Sequence, residues 1–155
     1  MNAELEELYQ QVILDHSRRP RNHGEIPGAI RVQGDNPSCG DEIQLDVQFA
    51  PDGAVADLKF TGHGCAISQA SASLMTLKLK GKPRVEAEAL LQSFHDLVTT
   101  DVADPPKQLG DLRLMSGVRK FPQRVKCAML AWRAFEQALQ EPGAPTPVTT
   151  EEPAS

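Results

Sequence analysis

The order of periodic segments predicts an α+β fold, a small antiparallel sheet covered by helices on one face. Residues 42–49 alternate apolar and polar without a break, and a turn and a second strand-like run follow, as in a hairpin. Helical apolar stripes stand on both sides of that block, one before it and three after. With 155 residues and 40% hydrophobic content, one domain can build its own core.

Residues 4–17 predict a helix, because Leu5, Leu8, Tyr9, Val12 and Ile13 share one face. Pro20 ends it, and "RRPRNHG" reads as a basic turn. A weaker first strand fits Ile30 to Gln33. In 42–49, Ile43, Leu45, Val47 and Phe49 face one way and Glu42, Gln44, Asp46 and Gln48 the other. Pro51 to Gly53 turns the chain, and Leu58 and Phe60 continue a second strand. Val55 is out of phase with that pair, which predicts a late start or a bulge. After Cys65 comes a helix with Ile67, Ala70, Leu74 and Leu77 as its stripe, stopped by Gly81. The run "ASASLMT" within it reads as a close-packed small-residue face. A further helix fits Val85 to Val98, with Ala87, Leu90, Leu91, Phe94, Leu97 and Val98 apolar. Residues 99–118 show neither helical nor strand period and read as a long loop, a feature that invites a functional explanation. The last helix spans about Pro122 to Leu139 and buries Val125, Ala128, Met129, Trp132, Phe135 and Leu139. The domain is thus expected over 1–140, with the proline-rich acidic segment 141–155 as a disordered tail.

A net charge of −5 argues against a general nucleic-acid binder. No apolar run approaches the about 18 residues of a membrane span. The acidic N-terminal stretch is unlike a secretory signal, so a cytoplasmic location is expected. Thiols stay reduced there, and three cysteines then suggest metal binding, catalysis or packing rather than a disulfide framework.

Cys39 lies in "NPSCGDEI" before the alternating strand, Cys65 in "GHGCAIS" at a helix start, and Cys127 in "RVKCAML" early in the last helix. All three fall at element edges, where side chains can converge. Asp41 is two residues after Cys39 and shares its side in extended chain. Three thiolates and one carboxylate supply the four donors of a tetrahedral Zn²⁺. Such a site carries a formal charge of about −2, which Arg124 and Lys126 beside Cys127 would offset. Helix N-termini lower thiol pKa values in addition. Packing as small core residues is the competing reading; it suits Cys127, whose neighbours are apolar, better than Cys39 and Cys65, each beside a glycine. His16, His23 and His63 read as turn or surface residues. The basic cluster Arg18, Arg19 and Arg21 reads as a solvated helix end or a docking patch.

The runs "LYQQVILDHSRRPRNHG", "NPSCGDEI", "GHGCAISQASASLMT" and "KFPQRVKCAMLAW" resemble, in order, the motifs of the IscU-like iron–sulfur cluster assembly family, over roughly residues 5–140. Within it the chain resembles the SufU branch. Segment 99–118 is long, Lys126 stands where IscU scaffolds carry a histidine ligand, and "FPQRVK" replaces their chaperone-binding segment. The resemblance implies a three-stranded antiparallel sheet with helices and a zinc site from Cys39, Asp41, Cys65 and Cys127. It also implies a PLP-dependent, SufS-like cysteine desulfurase as partner, alongside other SUF assembly proteins.

Together these readings predict a zinc-dependent, sulfurtransferase-like carrier that takes persulfide sulfur from the desulfurase. Cys39 is the expected acceptor because its loop is free to swing, and Arg124 the stabiliser of the anionic site. The alternative is a scaffold on which the same donors hold a [2Fe–2S] cluster before transfer. A zinc-stabilised adaptor is a third reading, weakened because a chain of this length needs no metal for its core.

Overall fold

The computed structural model describes residues 3–140 and 148–149, with side chains from Gln10 to Gln140. The elements are α1 (Ala3–Arg18), β1 (Ile30–Asn36), β2 (Asp41–Phe49), β3 (Val55–His63), α2 (Ala66–Leu79), α3 (Arg84–Thr99), a 3-10 helix (Lys107–Lys120), α4 (Pro122–Gln140) and the two-residue β4 (Val148–Thr149). Strands β1, β2 and β3 form an antiparallel meander with helices packed on one face, as the sequence predicts.

Alternation decides which face of the sheet is covered. Ile43, Leu45 and Val47 of β2 and Leu58 and Phe60 of β3 are buried, while Glu42 and Gln48 are exposed. Asp46 breaks the polar-out rule: it is buried, and its carboxylate accepts from Arg31 at 2.9 Å and from the Ile26 N–H at 2.8 Å. The phase slip at Val55 is real. Register shifts between Gln48 and Phe49, so that Phe49 pairs with Val55 and Val55 is wholly buried. Strand β1 runs three residues past its expected end at Gln33. "GDN" looks like turn chemistry, yet the ladder continues to an Asn36–Asp41 pair. This extension leaves Pro37 to Gly40 as the connecting loop and brings Cys39 to the sheet end. β4 pairs in parallel with β1, Gly34 with Val148 and Asp35 with Thr149. The sheet therefore has four strands in the order β3-β2-β1-β4. The rest of the expected tail, 141–147 and 150–155, lies outside the described residues.

Helix α2 is packed by α1, α4 and β3 and is buried nearly all round. Its apolar stripe is therefore a poor guide to burial, and Leu77 is exposed. The small residues do what close packing requires. The Ser71 hydroxyl donates to the Ala128 carbonyl at 2.6 Å and accepts the Trp132 indole N–H at 3.1 Å. Trp132 in turn stacks on Phe94 of α3, with centroids 4.6 Å apart. Leu91 and Val125 are only partly buried against that core.

The expected loop 99–118 is largely ordered. Leu109, Leu112, Met115 and Val118 are buried at a strict spacing of three, the repeat of a 3-10 helix. The run fits neither the 3.6-residue period of an α-helix nor the two-residue period of a strand. The run is unusually long for this geometry and is broken once, at Gly110.

In α1, Ile13 is buried and Val12 partly so; the side chains of Leu5, Leu8 and Tyr9 lie outside the described residues. His16 of α1 is buried and bonded to the Ser73 hydroxyl at 2.7 Å. It is therefore a helix-packing residue rather than a turn residue.

Candidate functional site

The end of the β1–β2 ladder, the start of α2 and the second turn of α4 meet around a cavity of about 630 Å³. Cys39, Cys65, Cys127 and Arg124 line it, together with the apolar Ile13, Leu14 and Ile67. Cys39 is exposed, Cys65 half-buried and Cys127 buried. Ligand atoms of Cys39, Asp41 and Cys127 all lie within 4.8 Å of one another. Cys65 Sγ stands 3.9 Å from Asp41 Oδ2. The four residues singled out in the sequence thus converge on one place.

Each donor is held differently. Asp41 opens β2 facing inward and is 1% exposed. Its Oδ1 accepts the Cys65 backbone N–H at 2.8 Å. Cys65 is the N-cap of α2, and its sulfur accepts the Ser68 N–H at 3.4 Å. This uses a thiol where serine or aspartate is usual, and the helix dipole there favours the thiolate. Gly64 explains the glycine beside the cysteine. Its φ of +154° suits glycine, and a Cβ there would collide with Asp41 Oδ1 and stand 2.9 Å from Asp41 Cα. The missing side chain is the space the carboxylate occupies. Cys39 hangs from a turn, its N–H bonded to the Asn36 carbonyl at 3.1 Å.

The two helix cysteines shift each other's titration in opposite directions. The Cys127 S–H donates to Cys65, which holds the Cys65 thiol down to about 6 against the opposing effect of burial. The same bond, with burial, pushes Cys127 far up.

Helical spacing separates the two cations expected beside Cys127. Arg124 is three residues before it, shares its face and lines the cavity, with its guanidinium 5.0 Å from the Phe121 ring centre. Lys126 is rotated away and is not among the lining residues. His63 points to the outer sheet face and bonds Glu42 at 3.0 Å. His23 packs edge-on against Phe60. Arg19 and Arg21 pair with Asp15.

Two further residues, Gln123 and Asn36, reach the thiols. Gln123 Oε1 lies 4.0 Å from Cys39 Sγ. Its position four residues before Cys127, on the same helix face, was the available signal. Asn36, wholly buried, donates its side-chain N–H to Cys127 Sγ at 3.6 Å.

Fold and site together define a small α+β protein that brings three thiols and a buried carboxylate to one cavity. The chain belongs to the NifU-like N terminal domain family, which matches residues 8–141, and within it to the SufU/IscU group of iron–sulfur cluster assembly proteins. It is 45% identical over 138 residues to the zinc-dependent sulfurtransferase SufU of Bacillus subtilis (strain 168), covering 89% of this chain and 93% of that protein. It is also 45% identical over 138 residues to the iron–sulfur cluster assembly scaffold protein IscU of Streptococcus pyogenes serotype M1, covering 89% and 86%. Among solved structures it is similar to the SUF-system protein from Fervidobacterium islandicum AW-1, described as a cluster assembly scaffold. That match has a TM-score of 0.77 and 35% identity, and covers 86% of this chain and 98% of the other.

Proposed function

We propose that this protein is a zinc-dependent sulfur carrier that accepts persulfide sulfur from a PLP-dependent, SufS-like cysteine desulfurase for cluster assembly by other SUF proteins in the cytoplasm. Among the described residues no helix is long and apolar enough to cross a membrane. The observation that carries the proposal is the unequal mounting of three converging thiols. Cys39 is exposed on a turn, whereas Cys65 and Cys127 are held by helices. One sulfur is free to act while the others keep the site together.

Cys39, Asp41, Cys65 and Cys127 fit the metal by donor type and number. Their ligand atoms stand close together, those of Cys39, Asp41 and Cys127 within 4.8 Å of one another and Cys65 Sγ 3.9 Å from Asp41 Oδ2. Zinc bound there would supply positive charge that keeps the thiols deprotonated, with no redox chemistry of its own. The chain's residues do the rest. The Cys65 N–H and Gly64 fix the Asp41 carboxylate. Arg124 offsets negative charge at the cavity mouth. The Cys39 thiolate attacks the outer sulfur of the desulfurase persulfide. A new S–S bond forms to Cys39, the bond to the desulfurase cysteine breaks, and that cysteine leaves as a thiolate. No electrons are gained or lost overall.

The test is mass spectrometry after incubation with desulfurase and cysteine. One added sulfur on Cys39, lost in Cys39→Ala together with stimulation of the desulfurase, is expected. Sulfur found only on Cys65 or Cys127 overturns the acceptor assignment.

The 45% identity to an IscU named as a scaffold favours a second reading, a [2Fe–2S] cluster built on the same donors. Colour separates the two. Colourless protein with one zinc supports the carrier, and brown protein with iron and acid-labile sulfide supports the scaffold.

A further inference from the structure

Asn36 ends β1 and is wholly buried, yet it touches three parts of the thiol site. Its carbonyl accepts the Cys39 N–H at 3.1 Å and closes the turn that carries the exposed thiol. Across the ladder it faces Asp41, the last pair of the β1–β2 register. Its Nδ2 donates to Cys127 Sγ at 3.6 Å. Its Oδ1 has no partner among the described residues.

A buried amide with an unpaired acceptor is a poor choice for stability alone, since an apolar residue of that size carries no such penalty. The paired half of the amide supplies the reason to keep it. A thiolate is anionic, and a hydrogen bond donated to it is about twice as strong as one between neutral groups. The bond therefore fixes a donor on the Cys127 sulfur and orients it as a ligand. It also draws charge from a sulfur in a site with excess negative charge.

We propose that Asn36 is a positioning residue for the metal site. Its amide N–H holds the Cys127 sulfur as the resident ligand, so that the looser Cys39 is the thiol released for chemistry. This rests on the zinc reading above. It assigns to one buried amide the difference between a fixed sulfur and a mobile one.

Full-length wild type, Asn36→Leu and Asn36→Asp separate this role from packing. Leucine removes the N–H and the orphan acceptor together at similar size. Aspartate keeps the shape, loses the N–H and adds a negative charge beside the sulfur. Zinc affinity is read by competition with a chromophoric chelator. The sulfur-to-metal charge-transfer band is read with Co²⁺ in place of zinc, and metal-free stability by urea unfolding. Both variants should bind zinc about 10–100-fold more weakly, Asn36→Asp the more so. The Co²⁺ band should move to lower energy, because a sulfur without its hydrogen bond gives up electrons more readily. Metal-free Asn36→Leu should be at least as stable as wild type. Unchanged zinc affinity and an unmoved Co²⁺ band in a folded variant overturn the inference. So does a loss of affinity matched by an equal loss of metal-free stability, or a failure of both variants to fold, since each makes Asn36 a packing residue. Wild type that takes up neither Zn²⁺ nor Co²⁺ overturns the zinc reading and this inference with it.

Discussion

Gly64→Ala should damage the site far more than an alanine at another positive-φ glycine. Gly64 has φ +154°, and an added Cβ would collide with Asp41 Oδ1. Gly81 has φ +82° with nothing within 4 Å of its would-be Cβ. Both substitutions place a side chain at positive φ, at a backbone cost of about 1–3 kcal/mol. Only Gly64→Ala pushes the Asp41 carboxylate off the Cys65 N–H, a 2.8 Å bond from a group that is 1% exposed. A hydrogen bond to a charged group contributes about 1.5–3 kcal/mol, and a buried one left unmade costs at least that. Asp41 lies against the β1–β2 ladder and has little room to retreat. Gly64→Ala should therefore destabilise the metal-free protein by about 2–3 kcal/mol more than Gly81→Ala. Zinc affinity should fall at least tenfold in Gly64→Ala, about what loss of a ligand's orienting partner does, and hold in Gly81→Ala. Urea unfolding gives the first comparison and chelator competition the second. Equal destabilisation by the two substitutions, with equal zinc affinity, would refute the claim that glycine stands at 64 to admit the carboxylate.

Asp41→Ala should leave three thiolates that retain zinc at reduced affinity while desulfurase stimulation falls; chelator competition and a desulfurase assay check this, and complete loss of zinc would count against it. Anaerobic reconstitution of the same variant with iron and sulfide should give little stable cluster, and a long-lived [2Fe–2S] spectrum that transfers would favour the scaffold. Acid should loosen the packing of α1 on α2 through His16. Burial lowers its pKa and the nearby Arg21 adds to this, while Asp15 and Asp111 oppose it. The unfolded chain then takes up the proton first, so the contribution of His16 is complete above about 6.5 and is lost as pH falls below that value. Urea midpoints followed from about pH 7.5 to about 5, across that value, should drop more steeply for wild type than for His16→Gln; parallel slopes would exclude His16 as the cause.

Much of this protein was readable along the chain because its signals are local. Alternation in 42–49 set the inner face of β2, the misplaced Val55 announced the register shift, and apolar spacing located α3 and α4 to within a residue or two. Donor chemistry was local as well. Cys39 and Asp41 sit two apart, and Cys65 stands where a helix begins. The period-three run Leu109, Leu112, Met115 and Val118 was equally present in the sequence but belongs to a helix type rarely sustained so long. Other features were decided by chain segments far apart. The exposure of Leu77 depends on which neighbours surround α2. The extension of β1 to Asn36 depends on a partner strand that accepts turn-like residues into its ladder. Only packing could bring Cys127 of α4 against Cys65 of α2, place Gln123 beside Cys39 and aim the Asn36 amide at a sulfur 91 residues away. A residue's type records what chemistry it offers. Which groups that chemistry meets is set by ladder register and helix packing, interactions between distant segments that no local pattern encodes.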